Sequence, residues 1–162
     1  MKAESPGSQT VAVARAAEQA PGEAIALRGV EHAYGELQTL ASLDLEVGAH
    51  SVVGLVGPSG CGKSTLLELI CGLGEPSAGS VEVGGRSAAA ERLARCAFMP
   101  QRDLLLPWYS AIDNAALALR NQGLRRGPAR AAAAELFQRF GLGGFEAARP
   151  TELSGGMRQR VA

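Results

Sequence analysis

Ser51-Val-Val-Gly-Leu-Val-Gly57-Pro-Ser-Gly-Cys-Gly-Lys63-Ser64-Thr65-Leu-Leu67 decides how this chain is read. Gly57 to Ser64 fit the phosphate-binding pattern G-x-x-x-x-G-K-[ST]. Glycines at 57, 60 and 62 let the backbone curl into positive-φ conformations, so that successive N–H groups converge on an anion. A helix opening directly after the loop adds its free N–H groups and dipole at the same point. Pro58, Ser59 and Cys61 fill the loop, Lys63 is placed to meet the β- and γ-phosphates, Ser64 to offer its hydroxyl to Mg²⁺, and Thr65 to brace the loop. A glycine-rich surface turn is the bland alternative. Lys2 and Lys63 are the only lysines in the chain, which makes a chance Lys-Ser at this point less plausible.

The flanks agree with the motif. Ser51–Val56 is a short β-branched run, expected to be a strand buried on both faces. Leu66, Leu67, Leu69, Ile70 and Leu73 recur at helical spacing, and Gly72 and Gly74 supply a stop. Upstream, residues 24–30 and 40–47 read as strands joined by a turn over 31–38. The second alternates, with Leu43, Leu45 and Val47 on one face, as a half-exposed antiparallel strand does. Residues 1–23, rich in Ala, Ser, Gly, Pro and Gln, read as a flexible tail with a helical turn near Val11–Ala20.

Beyond the loop helix, Ser80–Val83 reads as a short strand, 88–95 as helical or irregular, and Cys96–Met99 as an apolar run closed by Pro100-Gln101. Ser110–Asn121 reads as one amphipathic helix and Gly127–Phe140 as another, with Pro128 in its first turn. Gly143–Glu152 reads as a loop, and Leu153-Ser-Gly-Gly-Met157 opens a further helix. The character changes near residue 100, from strand-rich to helix-rich. The expected fold is α/β: a P-loop NTPase core with an antiparallel β subdomain over 24–100 and a helical subdomain over 101–162.

Composition narrows the class. Sixteen basic and sixteen acidic residues in 162 leave no net charge, so no overall field points to nucleic acid. Cys61, Cys71 and Cys96 form no C-x-x-C pair, and no apolar run approaches a membrane span. Reduced thiols in a cytosolic compartment are expected.

Four separated stretches resemble the ATP-binding cassette, the motor subunit of ATP-binding-cassette (ABC) transporters, and together the resemblance covers 24–162. Tyr34 stands where that family places an aromatic on the adenine. Residues 57–65 match the P-loop. Gln101, after Phe98-Met-Pro, matches the Q-loop glutamine that reaches Mg²⁺ and the attacking water. Leu153–Met157 resembles the signature motif, with Met157 where the family usually has glutamine. The resemblance implies ATP and Mg²⁺ as cofactors, with Ser64 and Gln101 at the metal. It also implies that Ser154, Gly155 and Gly156 face a γ-phosphate held by a second subunit in a head-to-tail dimer. Gln101-Arg-Asp-Leu-Leu-Leu-Pro-Trp108 resembles the subgroup that energises uptake of nitrate, sulfonates or taurine. There this region receives the transmembrane permease, placing the subunit peripherally on the cytoplasmic face of the membrane.

The family's Mg²⁺ aspartate, water-polarising glutamate and switch histidine have no counterpart: Asp44, Asp103 and Asp113 do not fit, and His32 and His50 precede the P-loop. The sequence therefore reads as a C-terminally truncated cassette, expected to be inactive by itself. Two alternatives stay open, a small P-loop kinase and a non-catalytic nucleotide-binding fragment. Leu153–Met157 argues against the kinase.

Overall fold

The computed structural model describes the backbone of residues 12–16 and all of residues 22–162, and it divides into two compact units, 1–98 and 99–162. The remainder of the sequence-predicted tail lies outside the described residues.

In the first unit, β1 (Ala12–Ala16), β2 (Ile25–Tyr34), β3 (Leu37–Val47) and β4 (Val52–Val56) precede α1 (Lys63–Cys71), β5 (Ala78–Val83) and α2 (Ala89–Arg95). β3, β2 and β5 form an antiparallel sheet in that order. The hairpin is tighter than expected: β2 runs on to Tyr34 and β3 starts at Leu37, so the strands claim most of the segment read as a turn. Backbone pairing across Tyr34 and Leu37 outweighs the polar composition there. Leu27, Val30, Val81 and Val83 from the sheet and Leu66, Leu69 and Ile70 from α1 make the core, with Leu43, Leu45 and Leu55 packed against it. This follows from period-2 apolar positions meeting an i, i+3, i+4 helix stripe.

A bulge interrupts β2 at Gly29, where φ is 56° and the amide donates to Asp44 Oδ1 at 2.7 Å. α2 is tied down by Arg92, which is 1 % exposed and donates through Nη2 to Glu75 Oε2 at 3.0 Å and through Nη1 to the Ser87 carbonyl.

Two expectations fail here. Residues 12–16 form not a helical turn but a strand, paired antiparallel with β4 from Ala12↔Val56 to Ala16↔Val52. An alanine-rich segment favours helix on its own, but an open strand edge offers it a full row of partners. Nor is β4 buried on both faces: Val52 and Val56 are exposed, and exposure alternates along the strand. Among the described residues β4 pairs with β1 alone, in a two-stranded sheet separate from the other three strands.

The second unit holds α3 (Ala111–Ala115), α4 (Leu117–Asn121), α5 (Arg126–Arg139), a 3₁₀ turn at Pro150–Glu152 and α6 (Gly155–Val161). The single helix expected over Ser110–Asn121 is two, broken at Ala116, where ψ is −6°. Asp113 and Asn114, weak helix formers, spend their side chains on other groups. Asn114 Nδ2 donates to the Leu106 and Ser110 carbonyls, and its Oδ1 accepts from Leu106 N at 2.8 Å. Asp113 accepts from Ser110 Oγ at 3.0 Å and from Arg126 at 3.2 and 2.9 Å. The Arg126 bond first, with Ser110 and Arg130 assisting, holds the Asp113 carboxyl below the usual carboxylate range. Ala129 and Ala133 on α5 admit Ile112, Ala116 and Leu153 into one buried cluster with Phe137, Leu142 and Val161.

Candidate nucleotide site

Gly60 and Gly62 take φ values of 81° and 90°, two of the three left-handed turns expected of the loop, whereas Gly57 does not. There a Cβ would lie 2.8 Å from Cys61 Sγ, so close packing and not positive φ is what favours glycine. Gly62 is doubly constrained, since a Cβ there would lie 2.8 Å from the Thr39 carbonyl and 2.7 Å from Leu40 Cδ2. The loop is therefore seated against the start of β3. Pro58, Ser59 and Gly60 are exposed, and Gly60 faces open space. Lys63 opens α1 and folds back over the loop. Its Nζ donates to the Gly57 and Pro58 carbonyls at 2.9 and 2.7 Å and lies 3.4 Å from Cys61 Sγ. No first-turn acidic side chain opposes an anion at the α1 N-terminus. An ammonium held by two carbonyls, beside helix-opening amides of Lys63, Ser64 and Thr65 that lack acceptors within their own helix, is a donor set matched to phosphate oxygens.

Tyr34 ends β2 beside this helix. It is 54 % exposed, its hydroxyl lies 3.5 Å from Glu68 Oε2 on α1, and its ring meets His32 edge-on at 4.7 Å.

The remaining sequence-predicted residues lie in the second unit. Ser154 caps α6, its Oγ accepting from Met157 N at 3.3 Å, and Gly155 and Gly156 form the exposed first turn. Gln101 is exposed and lies on an open cleft of about 670 Å³ with Asp103, Leu104, Gly155 and Arg158. Gln101 and the Leu153–Met157 stretch, separated by some fifty positions, thus share one cleft. Trp108 is no core aromatic: it is 64 % exposed, held edge-on to Tyr109. The sequence reading missed Asp103 and Arg158, which bridge the two halves of the cleft. Nothing in composition or spacing marks either.

All three aspartates have structural partners: Asp44 holds Gly29, Asp103 holds Arg158 and Asp113 holds Arg126. No cluster of three or more His, Cys, Asp or Glu fit for a metal occurs among the described residues.

Cys71 is buried, and its thiol is pushed up to about 11 by that burial and then by the neighbouring Cys96. Cys61 is half-exposed in the phosphate loop. A maleimide at neutral pH should label Cys61 far ahead of Cys71, which is buried and held as the thiol. Mg-ATP should slow Cys61 alone. Peptide mass spectrometry over a time course checks both, and faster labelling of Cys71 would contradict the placement.

A strand-fed glycine loop with Lys-Ser at a helix N-terminus, set in an α/β unit, defines a P-loop nucleotide-binding protein. Residues 40–162 match the ABC transporter family, and the chain belongs to it. It is 42% identical over 127 residues to the taurine import ATP-binding protein TauB of Burkholderia thailandensis, covering 78% of this chain and 48% of that protein. It is 44% identical over 141 residues to the aliphatic sulfonates import ATP-binding protein SsuB 2 of Pseudomonas aeruginosa, covering 87% and 49%. The lipoprotein-releasing system ATP-binding protein LolD 2 of Caulobacter vibrioides is 43% identical over 150 residues, covering 85% and 66%. Among solved structures, the dimeric post-hydrolysis state of the ATP-binding cassette MJ0796 bound to ADP and Pi has a TM-score of 0.69 at 27% identity. It covers 85% of this chain and 66% of that one. The chain spans about half the length of the two import proteins.

Proposed function

We propose that this chain is the nucleotide-binding portion of the ATPase subunit of an ABC importer for a small anion of the sulfonate, taurine or nitrate kind. The observation that carries the reading is the phosphate loop, with Lys63 poised on its carbonyls at the start of α1. Mg-ATP supplies the scissile phosphoanhydride. This chain's residues would hold it: loop amides and Lys63 would meet the phosphates, Ser64 the metal, and Tyr34 the base. Ser154, Gly155 and Gly156 present their exposed helix start to the nucleotide of a second copy. The dimeric cassette with ADP and Pi supports that arrangement by similarity.

Gln101 lies on the cleft shared with Gly155, a fitting place for a residue that senses nucleotide and partner together. Exposed Trp108, four residues before the buried Ile112, suits an aromatic anchor for a permease segment. The subunit would then sit on the cytoplasmic face of the membrane. No helix among the described residues is long and apolar enough to cross one. The sulfonate assignment rests on the two import relatives, while LolD 2 at similar identity shows that identity alone does not select the cargo.

Calorimetric titration with ATP and with inorganic triphosphate tests the site. Tyr34→Ala should weaken ATP by about 1–3 kcal/mol, the worth of a base stacked on an aromatic, and leave triphosphate unchanged. An equal loss for both ligands would remove Tyr34 from the base site.

A further inference from the structure

Arg158 lies on α6, one turn after Ser154. Its Nε donates to Asp103 Oδ2 at 2.8 Å and its Nη1 to the Leu153 carbonyl at 2.8 Å. One guanidinium thus joins the peptide immediately before Ser154 to a carboxylate two residues after Gln101. Asp103 is engaged on its other oxygen as well, Oδ1 accepting from Leu105 N at 3.3 Å. Between those anchors Leu104 is held at a φ of 48°, a left-handed conformation that a leucine keeps only where its surroundings fix both sides. The Asp103 carboxyl is held below its ordinary range, by Arg158 first and the Leu105 amide second. Gln101, Asp103, Gly155 and Arg158 all line the same cleft.

We propose that Arg158 is a positioning residue that couples the Gln101 loop to the amides at the start of α6. A shift of the loop moves Asp103, and through the two bonds of Arg158 it moves the Leu153 carbonyl and the Ser154 cap. The planar fork of arginine makes the link possible, since two donors at fixed angles serve a carboxylate and a carbonyl at once. The proposal rests on the reading that Ser154–Gly156 meets phosphate in a second copy. Both partners are partly exposed, so the pair adds little to static stability, and that separates positioning from a structural role.

The test uses the full chain with Asp103→Asn, Arg158→Met and the double variant. All three should melt close to the parent and bind ATP with parental affinity. Hydrogen exchange at the amides of 157 and 158, which bond the Ser154 hydroxyl and carbonyl, should quicken about tenfold in each single variant, and ATP-driven self-association should weaken by a similar factor. The double variant should be no worse than Arg158→Met, because the second change removes a partner already lost. Unchanged exchange, or effects that simply add, overturns the coupling. If the parent binds ATP but never self-associates, the reading of Ser154–Gly156 fails, and the exchange data alone decide whether the link exists.

Discussion

Lys63→Ala should lower ATP affinity at least a hundredfold, the largest single effect expected in this chain. Lys63 is the only lysine among the described residues, and its Nζ already occupies the concave side of the loop through the Gly57 and Pro58 carbonyls. Exchanging those neutral acceptors for phosphate oxygens creates charge-assisted bonds of about 1.5–3 kcal/mol each. Losing two of them gives about 3 kcal/mol or more, which is two decades in Kd. Alanine also frees the loop carbonyls, so Lys63→Met serves as a second variant that keeps the aliphatic stem and drops the charge. Both should lose binding of ATP and of inorganic triphosphate alike, since the ammonium addresses phosphate rather than base. Calorimetry with the two ligands decides it, and parental affinity in either variant would end the phosphate-loop assignment.

Gly79→Ala should be the most damaging of the small substitutions. A Cβ at Gly79 would stand 2.2 Å from the Gly29 carbonyl oxygen and 2.4 Å from that of Arg28, with φ at 81°. The methyl has no room unless β5 separates from β2 at the bulge. Left-handed strain of about 1–2 kcal/mol adds to an overpacking cost of about 1–3 kcal/mol. A loss of about 3 kcal/mol corresponds to roughly 12 °C or more in the melting of a unit this size. Gly85→Ala is the control, because Gly85 shares the positive φ, 71°, but faces open space. Thermal unfolding followed by circular dichroism should show Gly85→Ala paying backbone strain alone. Equal melting of the two variants would show that the close approach of β5 to β2 is not tight in solution.

The two predictions divide what was legible in the sequence from what was not. Lys63, the glycines of the loop and the α1 stripe are local patterns whose geometry follows from residue type and spacing. The chain carried that meaning before any fold was known. So did the antiparallel pairing of the strands around 24–47 and the Ser154 cap, because alternation and capping are decided within a few residues. Gly79 stands just before the Ser80–Val83 run, and nothing local singles it out. That it sits against the backbone of Gly29 depends on a strand fifty residues away.

The misread segments failed for the same physical reason. Whether Val52–Val56 is buried depends on what lies beside and over it, and a five-residue apolar run says nothing of that. Whether residues 12–16 coil into a helix or extend depends on an edge to pair with, which β4 provides. Ser110–Asn121 has helical periodicity, yet Asp113 and Asn114 are drawn off by Arg126 and by the Leu106–Ser110 loop. The bridge from Asp103 through Arg158 to Leu153 spans more than fifty positions and three unremarkable residues. Sequence by itself determined the glycine loop and the helix that follows it, because that motif is built from contiguous residues. Only the tertiary structure decided which strands have partners and which loops are linked, because hydrogen-bond partners and packing surfaces are supplied by residues distant along the chain.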